Sequence, residues 1–126
     1  MSIKPENLIE LANELKAAST EVHWRSAISR GYYAAYHGCQ SWHSALKAPG
    51  SAEGPPGGSH QKFVNQLGHP APEVKGDERT LSRLLSIQLK LLHTKRCAAD
   101  YQLDEVIDQV AAQTACKAAE LILTKL

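Results

Sequence analysis

"RSAISRGYYAAYHGCQSWH", residues 25–43, decides how this chain is read. The stretch has no proline, and its small and aromatic residues recur at helical rather than alternating intervals, so the spacing predicts one continuous helix. At ~100° per residue, Trp24, Ile28, Gly31, Ala35, Gly38, Trp42 and Ala45 fall on one stripe. Its middle is small, so a neighbouring helix can approach closely between two structural tryptophans, Trp24 and Trp42. That stripe is the expected core face, with Gly31 in a packing role. Ser26, Arg30, Tyr33, His37, Gln40 and Ser44 form a second stripe, roughly 200° away. A tyrosine and a histidine set between an arginine and a glutamine suit a groove wall or a subunit contact. The alternative is a decorated solvent face.

Working outward, the pattern predicts five helices, near residues 5–18, 20–47, 60–67, 77–98 and 104–125. Pro5 suits a first helical turn, and Leu8, Leu11, Ala12, Leu15 and Ala18 make the first stripe. Thr20 is the expected N-cap of the second helix. The third stops at Gly68. The fourth has Asp77 as its expected N-cap and Leu81, Leu84, Leu85, Leu91 and Leu92 as its apolar positions. The fifth carries Ile107, Val110, Ala111, Thr114, Ala118, Leu121 and Ile122. Residues 48–59, "APGSAEGPPGGS", are dense in Pro, Gly and Ser and read as a flexible loop. No segment alternates like a strand, and no internal repeat is present. The expected architecture is a single all-α domain over residues 1–126, an up-and-down bundle of four or five helices with mostly antiparallel neighbours.

The 126 residues fit about one domain with a modest core. No apolar run approaches the roughly 18 residues of a membrane span. The N-terminus is amphipathic and carries acids, unlike a signal or transit peptide, so a cytoplasmic location is expected. Cys39, Cys97 and Cys116 are odd in number and scattered, as reduced thiols would be. With a net charge of +1, no large basic field advertises nucleic acid. Residues 73–96 still hold six Lys/Arg against three Asp/Glu, whereas residues 98–126 hold five acids against two lysines. The first could give a local basic surface, although helix-end complementation explains the bias as well.

Arg30 and His37 lie seven residues apart, ~10.5 Å along one line of the helix. The pair suits phosphodiester chemistry. Histidine titrates near neutrality and can move protons, while arginine keeps its charge and holds phosphate oxygens with a planar fork. Tyr33, one turn from each, could bond a phosphate or stack on a base. Ser26 and Gln40 extend the same stripe.

Two stretches carry a family resemblance. "SAISRGYYAAYHGC" resembles the second-helix signature of HEPN-domain proteins, in which an Arg and a His are separated by four to six residues. Here "RGYYAAYH" has six between them. "KRCAADYQLDE", residues 95–105, resembles the R-x-x-A-D-Y element that often closes the penultimate helix of bacterial and archaeal members, matched by Arg96, Ala99, Asp100 and Tyr101. The alanine-rich last helix also fits, and the likeness covers roughly residues 20–47 and 77–125. The resemblance implies a HEPN-like bundle that forms a homodimer, with Arg30 and His37 of both subunits lining one interfacial cleft. It further implies RNA cleavage without a metal or other cofactor. The ribose 2′-hydroxyl would attack the adjacent phosphate, Arg30 would steady the transition state, and His37 would transfer a proton or hold the 2′-hydroxyl. Such a protein would fit a toxin or stress effector. One alternative is a non-catalytic HEPN module that binds a nucleotide or a partner nucleotidyltransferase, as in toxin–antitoxin pairs. The other is a purely structural helical dimer.

Arg96, Asp100 and Tyr101 read first as architecture. Arg96 and Asp100, four apart, make an ion pair easily, and Tyr101 could bond across to another helix. Arg96 could instead add a second phosphate contact. Cys39 and His43 are also four apart, and His23, His60, His69 and His93 offer further nitrogens. No metal-ligand spacing accompanies them, and no metal site is expected. His60 and His69 flank a loop region and are expected to be exposed, although His60 could reach a ligand from the start of the third helix. The glycine-rich loop lacks a Gly-Lys-Ser/Thr ending and is not a P-loop.

Overall fold

The computed structural model of the chain describes residues 3–52 and 57–126. Among these the chain is an all-α bundle: α1 (Pro5–Lys16), α2 (Glu21–Ser44), α3 (Ser59–Gly68), α4 (Gly76–Tyr101) and α5 (Gln109–Thr124). No strand is present among the described residues. Pro5 opens α1, and the Thr20 side chain caps α2 by accepting from the His23 amide, both as expected. Residues 53–56, the middle of the expected loop, lie outside the described residues. The near flank is tied down, with the Gly50 amide 3.4 Å from His43 Nε2 and the Ser51 amide 2.9 Å from the His69 carbonyl.

Helix α2 is central, packing on α1, α4 and α5. Contacts along the helices set their directions. Arg25 meets Ala98 and Ala99 while Tyr32 meets His93, so α2 and α4 run antiparallel. Ala27 lies against Cys116, Gly31 against Ala119 and Gly38 against Leu123, so α2 and α5 run parallel. Helix α3 is a short cover. It packs on α4 through Phe63, Val64 and Leu67, and the Ser82 and Ser86 hydroxyls donate to its Leu67 and Val64 carbonyls at 2.7 and 2.8 Å. The core centres on Tyr32, Leu67, Leu85, Leu89, Leu92, Ile122 and the small residues of α5. Each fully buried leucine contributes about 1.5–3 kcal/mol by leaving water.

Several expectations need correction. Helix α4 begins at Gly76, with φ of +61° that glycine adopts freely, so Asp77 sits inside the first turn rather than at the N-cap. There its carboxylate still complements the helix dipole. Helix α4 also runs on to Tyr101, beyond the expected end near residue 98. Helix α5 starts at Gln109 rather than near residue 104, with Asp108 as N-cap accepting from the Ala111 amide at 2.8 Å. The cause is Arg25, which is 9% exposed and missing from the expected core. Its guanidinium donates to the carbonyls of Ala98, Ala99, Gln102 and Glu105, so residues 102–108 wrap around it instead of coiling.

The α5 stripe is rotated. Ala112, Ala115, Cys116, Ala119 and Ile122 are buried, whereas Val110 and Leu121 are 65% and 46% exposed. Small residues win because they let α5 approach Gly31, where an added Cβ would sit 3.7 Å from Ala119 Cβ. On α4, Leu85 and Leu92 are buried as expected, but Leu84 and Leu91 are exposed and Leu89 takes their place. On α2 the core face is wider than the small stripe. It adds Ala27, Tyr32, Ala34, Tyr36 and Cys39, while Ala45 is exposed. Trp24 and Trp42 are half-buried against the core, and Trp24 Nε1 donates to the Ala18 carbonyl at 2.8 Å.

Candidate functional site

The second stripe of α2 faces a cleft of about 1270 Å³. Arg30, Tyr33, His37, Gln40 and Ser44 line its floor, Lys4, Pro5 and Leu8 come from α1 and the residues before it, and Phe63 and Gln66 come from α3. The cleft is thus built within one chain. Lys4 and Arg30 face it and no carboxylate does, among the described residues. Such a lining attracts anions.

Tyr33 is the pivot. The Arg30 guanidinium lies 5.1 Å from its ring centroid, and so does that of Arg96, reaching across from α4. The His37 ring stacks near it at 6.1 Å. Ser26 is half-buried one turn before Arg30 and is absent from the cleft lining. Gln40 Nε2 donates to the Tyr36 hydroxyl at 3.1 Å, which ties the cleft floor to the core.

Arg96 is architectural and adjoins the site through the Tyr33 ring, although it is absent from the cleft lining. Its Nε is 2.8 Å from Asp100 Oδ2, which also accepts from the Ser29 hydroxyl at 3.2 Å. Ser29 Oγ lies 3.5 Å from Arg30, so one carboxylate anchors the region of both guanidiniums. Partial burial works against the Arg96 charge, but Tyr33, Asp100 and Tyr101 outweigh it and its pKa is raised. Tyr101 is 70% exposed and lies 5.5 Å from Arg96 on its own helix, rather than bonding across to another as expected. The extra helical turn beyond residue 98 holds Asp100 at the i+4 position from Arg96.

Behind Tyr33 lies a cluster that the spacing did not reveal. Tyr32 is fully buried with its hydroxyl 2.6 Å from His60 Nδ1. The His60 ring centroid sits 4.5 Å from Tyr36, 6.0 Å from Tyr33 and 5.3 Å from His93. Burial, reinforced by Tyr36, raises the Tyr32 pKa and keeps its hydroxyl protonated. Loss of hydration lowers the pKa of His60, helped by His93, Arg96 and His37, and lowers that of His93, helped by Arg96. Tyr32, Tyr36, His60 and His93 come from three helices, so only the folded bundle brings them together. A helical period cannot report that.

Cys39 and His43 do not form a metal pair. Cys39 is buried in the core with its thiol pushed up to about 12 by burial, and His43 packs edge-on against Phe63 at 5.5 Å. Among the described residues, no three His, Cys, Asp or Glu side chains converge as metal ligands. His69 is exposed with Nδ1 2.8 Å from the Asn65 carbonyl, and His23 bonds Thr20, so neither joins the cleft. No described helix is long and apolar enough to cross a membrane. Comparison with known protein families, curated proteins and solved structures found no match to this chain.

Proposed function

We propose that this chain is a metal-independent endoribonuclease of the HEPN type, working as a homodimer whose subunits pair across the Arg30/His37 cleft. The observation that carries the reading is the arrangement around Tyr33, with Arg30 and Arg96 each 5.1 Å from its ring and His37 stacked at 6.1 Å. Two fixed positive charges, a proton-transfer group and a stacking platform are the parts needed to hold a phosphodiester beside an unstacked base. The acid-free cleft suits single-stranded RNA, whose bases can splay onto Tyr33 and whose phosphates can meet Lys4 and Arg30.

In the proposed step the 2′-oxygen bonds to phosphorus and the bond from phosphorus to the 5′-oxygen breaks. The 2′-hydroxyl loses its proton, the 5′-oxygen gains one, and a 2′,3′-cyclic phosphate remains. Arg30 compensates charge on the non-bridging oxygens, and His37 takes part in the proton transfer. Arg96, fixed by Asp100, offers a second phosphate contact.

Purified protein incubated with structured and single-stranded RNA in EDTA should leave fragments with cyclic phosphate ends. Arg30→Ala and His37→Ala should each lose that activity by about 100-fold or more. Cleavage that persists in both variants, or that requires an added metal, refutes the reading. A wild-type dimer that binds RNA or a nucleotide without cutting would instead make the chain a non-catalytic binding module.

A further inference from the structure

The nuclease reading leaves one requirement unmet, and the inference drawn here rests on that reading. Breaking the phosphodiester moves two protons, one off the 2′-oxygen and one onto the 5′-oxygen, whereas the stripe on α2 supplies one histidine. We infer that His60, presented by the start of α3 and oriented by the Tyr32 hydroxyl, is the second proton-transfer residue of the site. It takes the proton from the ribose 2′-hydroxyl while His37 protonates the departing 5′-oxygen.

His43 also lines the cleft, but its Nε2 accepts from the Gly50 amide at 3.4 Å and its ring packs edge-on against Phe63, so the candidate beside the Tyr33 ring is His60. Its ring and that of His37 flank the same two side chains. His60 lies 6.0 Å from Tyr33 and 4.5 Å from Tyr36, and His37 lies 6.1 and 5.6 Å from them. His93 lies against Tyr32 and the His60 ring, 3.6 Å from the Cys97 sulfur, with no ring contact to Tyr33 or Tyr36 among those the structure shows. Tyr32 is fully buried with its oxygen 2.6 Å from Nδ1 of His60. In the tautomer that a base needs, Nδ1–H donates to that oxygen and Nε2 is left to accept the proton. His60 keeps partial exposure and, although it is not in the cleft lining itself, it adjoins Tyr33, which is. It is not needed to dock its helix, since Phe63, Val64 and Leu67 bury that face and Ser82 and Ser86 bond its carbonyls.

The charge environment agrees with a base. The groups facing His60 are Tyr32, Tyr33, Tyr36 and His37 from α2 and His93 and Arg96 from α4. None is a carboxylate, so nothing stabilises an imidazolium in the resting site. His60 then begins neutral, as an acceptor must. The reaction consumes no oxidant or reductant. One bond from phosphorus to oxygen forms, one breaks, and one proton passes to His60 as another leaves His37.

The test uses the full chain in EDTA, a short RNA cut by the wild type, and the same RNA with sulfur in place of the scissile 5′-oxygen. A thiolate leaves without protonation, so the sulfur substrate bypasses the acid and not the base. His37→Ala should lose about 100-fold or more on the oxygen substrate and recover most of it on the sulfur substrate. His60→Gln should lose a similar factor on both. It should also bind the uncleavable 2′-deoxy oligonucleotide within about twofold of wild type, and its cleavage should lose the acidic limb of the pH profile. Tyr32→Phe, which keeps the ring and loses the orienting hydroxyl, should fall between wild type and His60→Gln. If wild type cleaves and His60→Gln cleaves within about threefold of it, the assignment of His60 is overturned and the nuclease reading stands. Recovery of His60→Gln on the sulfur substrate overturns its role as base. A wild type that cleaves neither substrate overturns both readings at once.

Discussion

Arg25 is the residue on which the α2–α4 junction turns, and replacing it with methionine tests that directly. Methionine keeps the apolar stem and removes the guanidinium. The charged group is 9% exposed and donates to four carbonyls around the C-terminus of α4 and the chain that follows, at 2.9 Å to Ala99, 3.3 Å to Ala98 and Gln102, and closely to Glu105. It also pairs with Glu21 at 2.9 Å, whose side chain is 38% exposed. That pair is screened, and its share is about 0.5 kcal/mol. The carbonyl bonds matter more, since a hydrogen bond to a charged donor contributes about 1.5–3 kcal/mol. Some of these acceptors are only part-buried and will recover water. Counting two as fully lost gives a destabilisation of about 3–6 kcal/mol, comparable to breaking other buried charged networks. For 126 residues the unfolding entropy makes each kcal/mol equal to about 4 °C, so Tm should fall by about 12–24 °C. Urea unfolding followed by helical circular dichroism gives the free energy, and a scan gives Tm. Arg30→Met, on the cleft side of the same helix, should shift Tm by no more than about 3 °C and serves as the control. A loss under 1 kcal/mol in Arg25→Met would mean that residues 102–108 hold their path without the guanidinium, and the explanation for the late start of α5 would fail.

Two glycines should respond differently to alanine. At Gly38 the new Cβ meets the ends of flexible side chains, Leu123 at 2.5 Å and Leu126 at 2.9 Å, while helix propensity gains about 1 kcal/mol, so Gly38→Ala should be within about 1 kcal/mol of wild type by urea melts. At Gly50 the Cβ would fall 2.0 Å from the backbone oxygen of Gln66, which cannot step aside, and Gly50→Ala should cost more than about 2 kcal/mol in the same melts. His60 and His93 have pKa values below the ordinary 6.5, so the unfolded chain takes up their protons first. Their neutral forms support the fold fully above pH 6.5, and that support is lost as the pH falls through the lower folded values. Tm measured from pH 7.5 to 5 should therefore drop, and less so in a His60→Gln, His93→Gln double variant. RNA binding that uses Lys4, Arg30 and Arg96 should show a log–log salt slope of roughly −2 for three phosphate contacts on a single strand, shallower by roughly 0.7 in Arg96→Ala.

The helices themselves were legible because each has strong local signals. Pro5, Thr20 and the glycines after α2 mark ends, and the apolar spacing marks the spans. The polar stripe of α2 was legible for the same reason. Arg30, Tyr33, His37 and Gln40 share one face by period alone, and that face does line the cleft. What period cannot give is the choice between competing faces. On α5 the face with Val110 and Leu121 is the more apolar, yet the alanine face is buried. Leaving two such side chains partly in water forgoes about 1.5–3 kcal/mol each at most. The parallel seam with Gly31 and Gly38 offsets this by close packing along much of α2, which no larger side chains would allow.

That seam also explains why the candidate site exists where it does. Drawing α5 close on one side of α2 leaves room for α4 on another, with Tyr32 fully enclosed and Arg25 locked to the α4 C-terminus. Arg96 and Asp100 are then carried to Tyr33, and α3, bonded to α4 through Ser82 and Ser86, brings His60 to the same rings. Of the groups around Tyr33, only those on α2 share a period with it. Arg96 could be suggested by its own helix-end element, whereas His60 is separated from Tyr32 by 28 residues and a glycine-rich loop. Its place is a consequence of the bundle, and so the chemistry proposed for it stands or falls with the packing of α3 on α4.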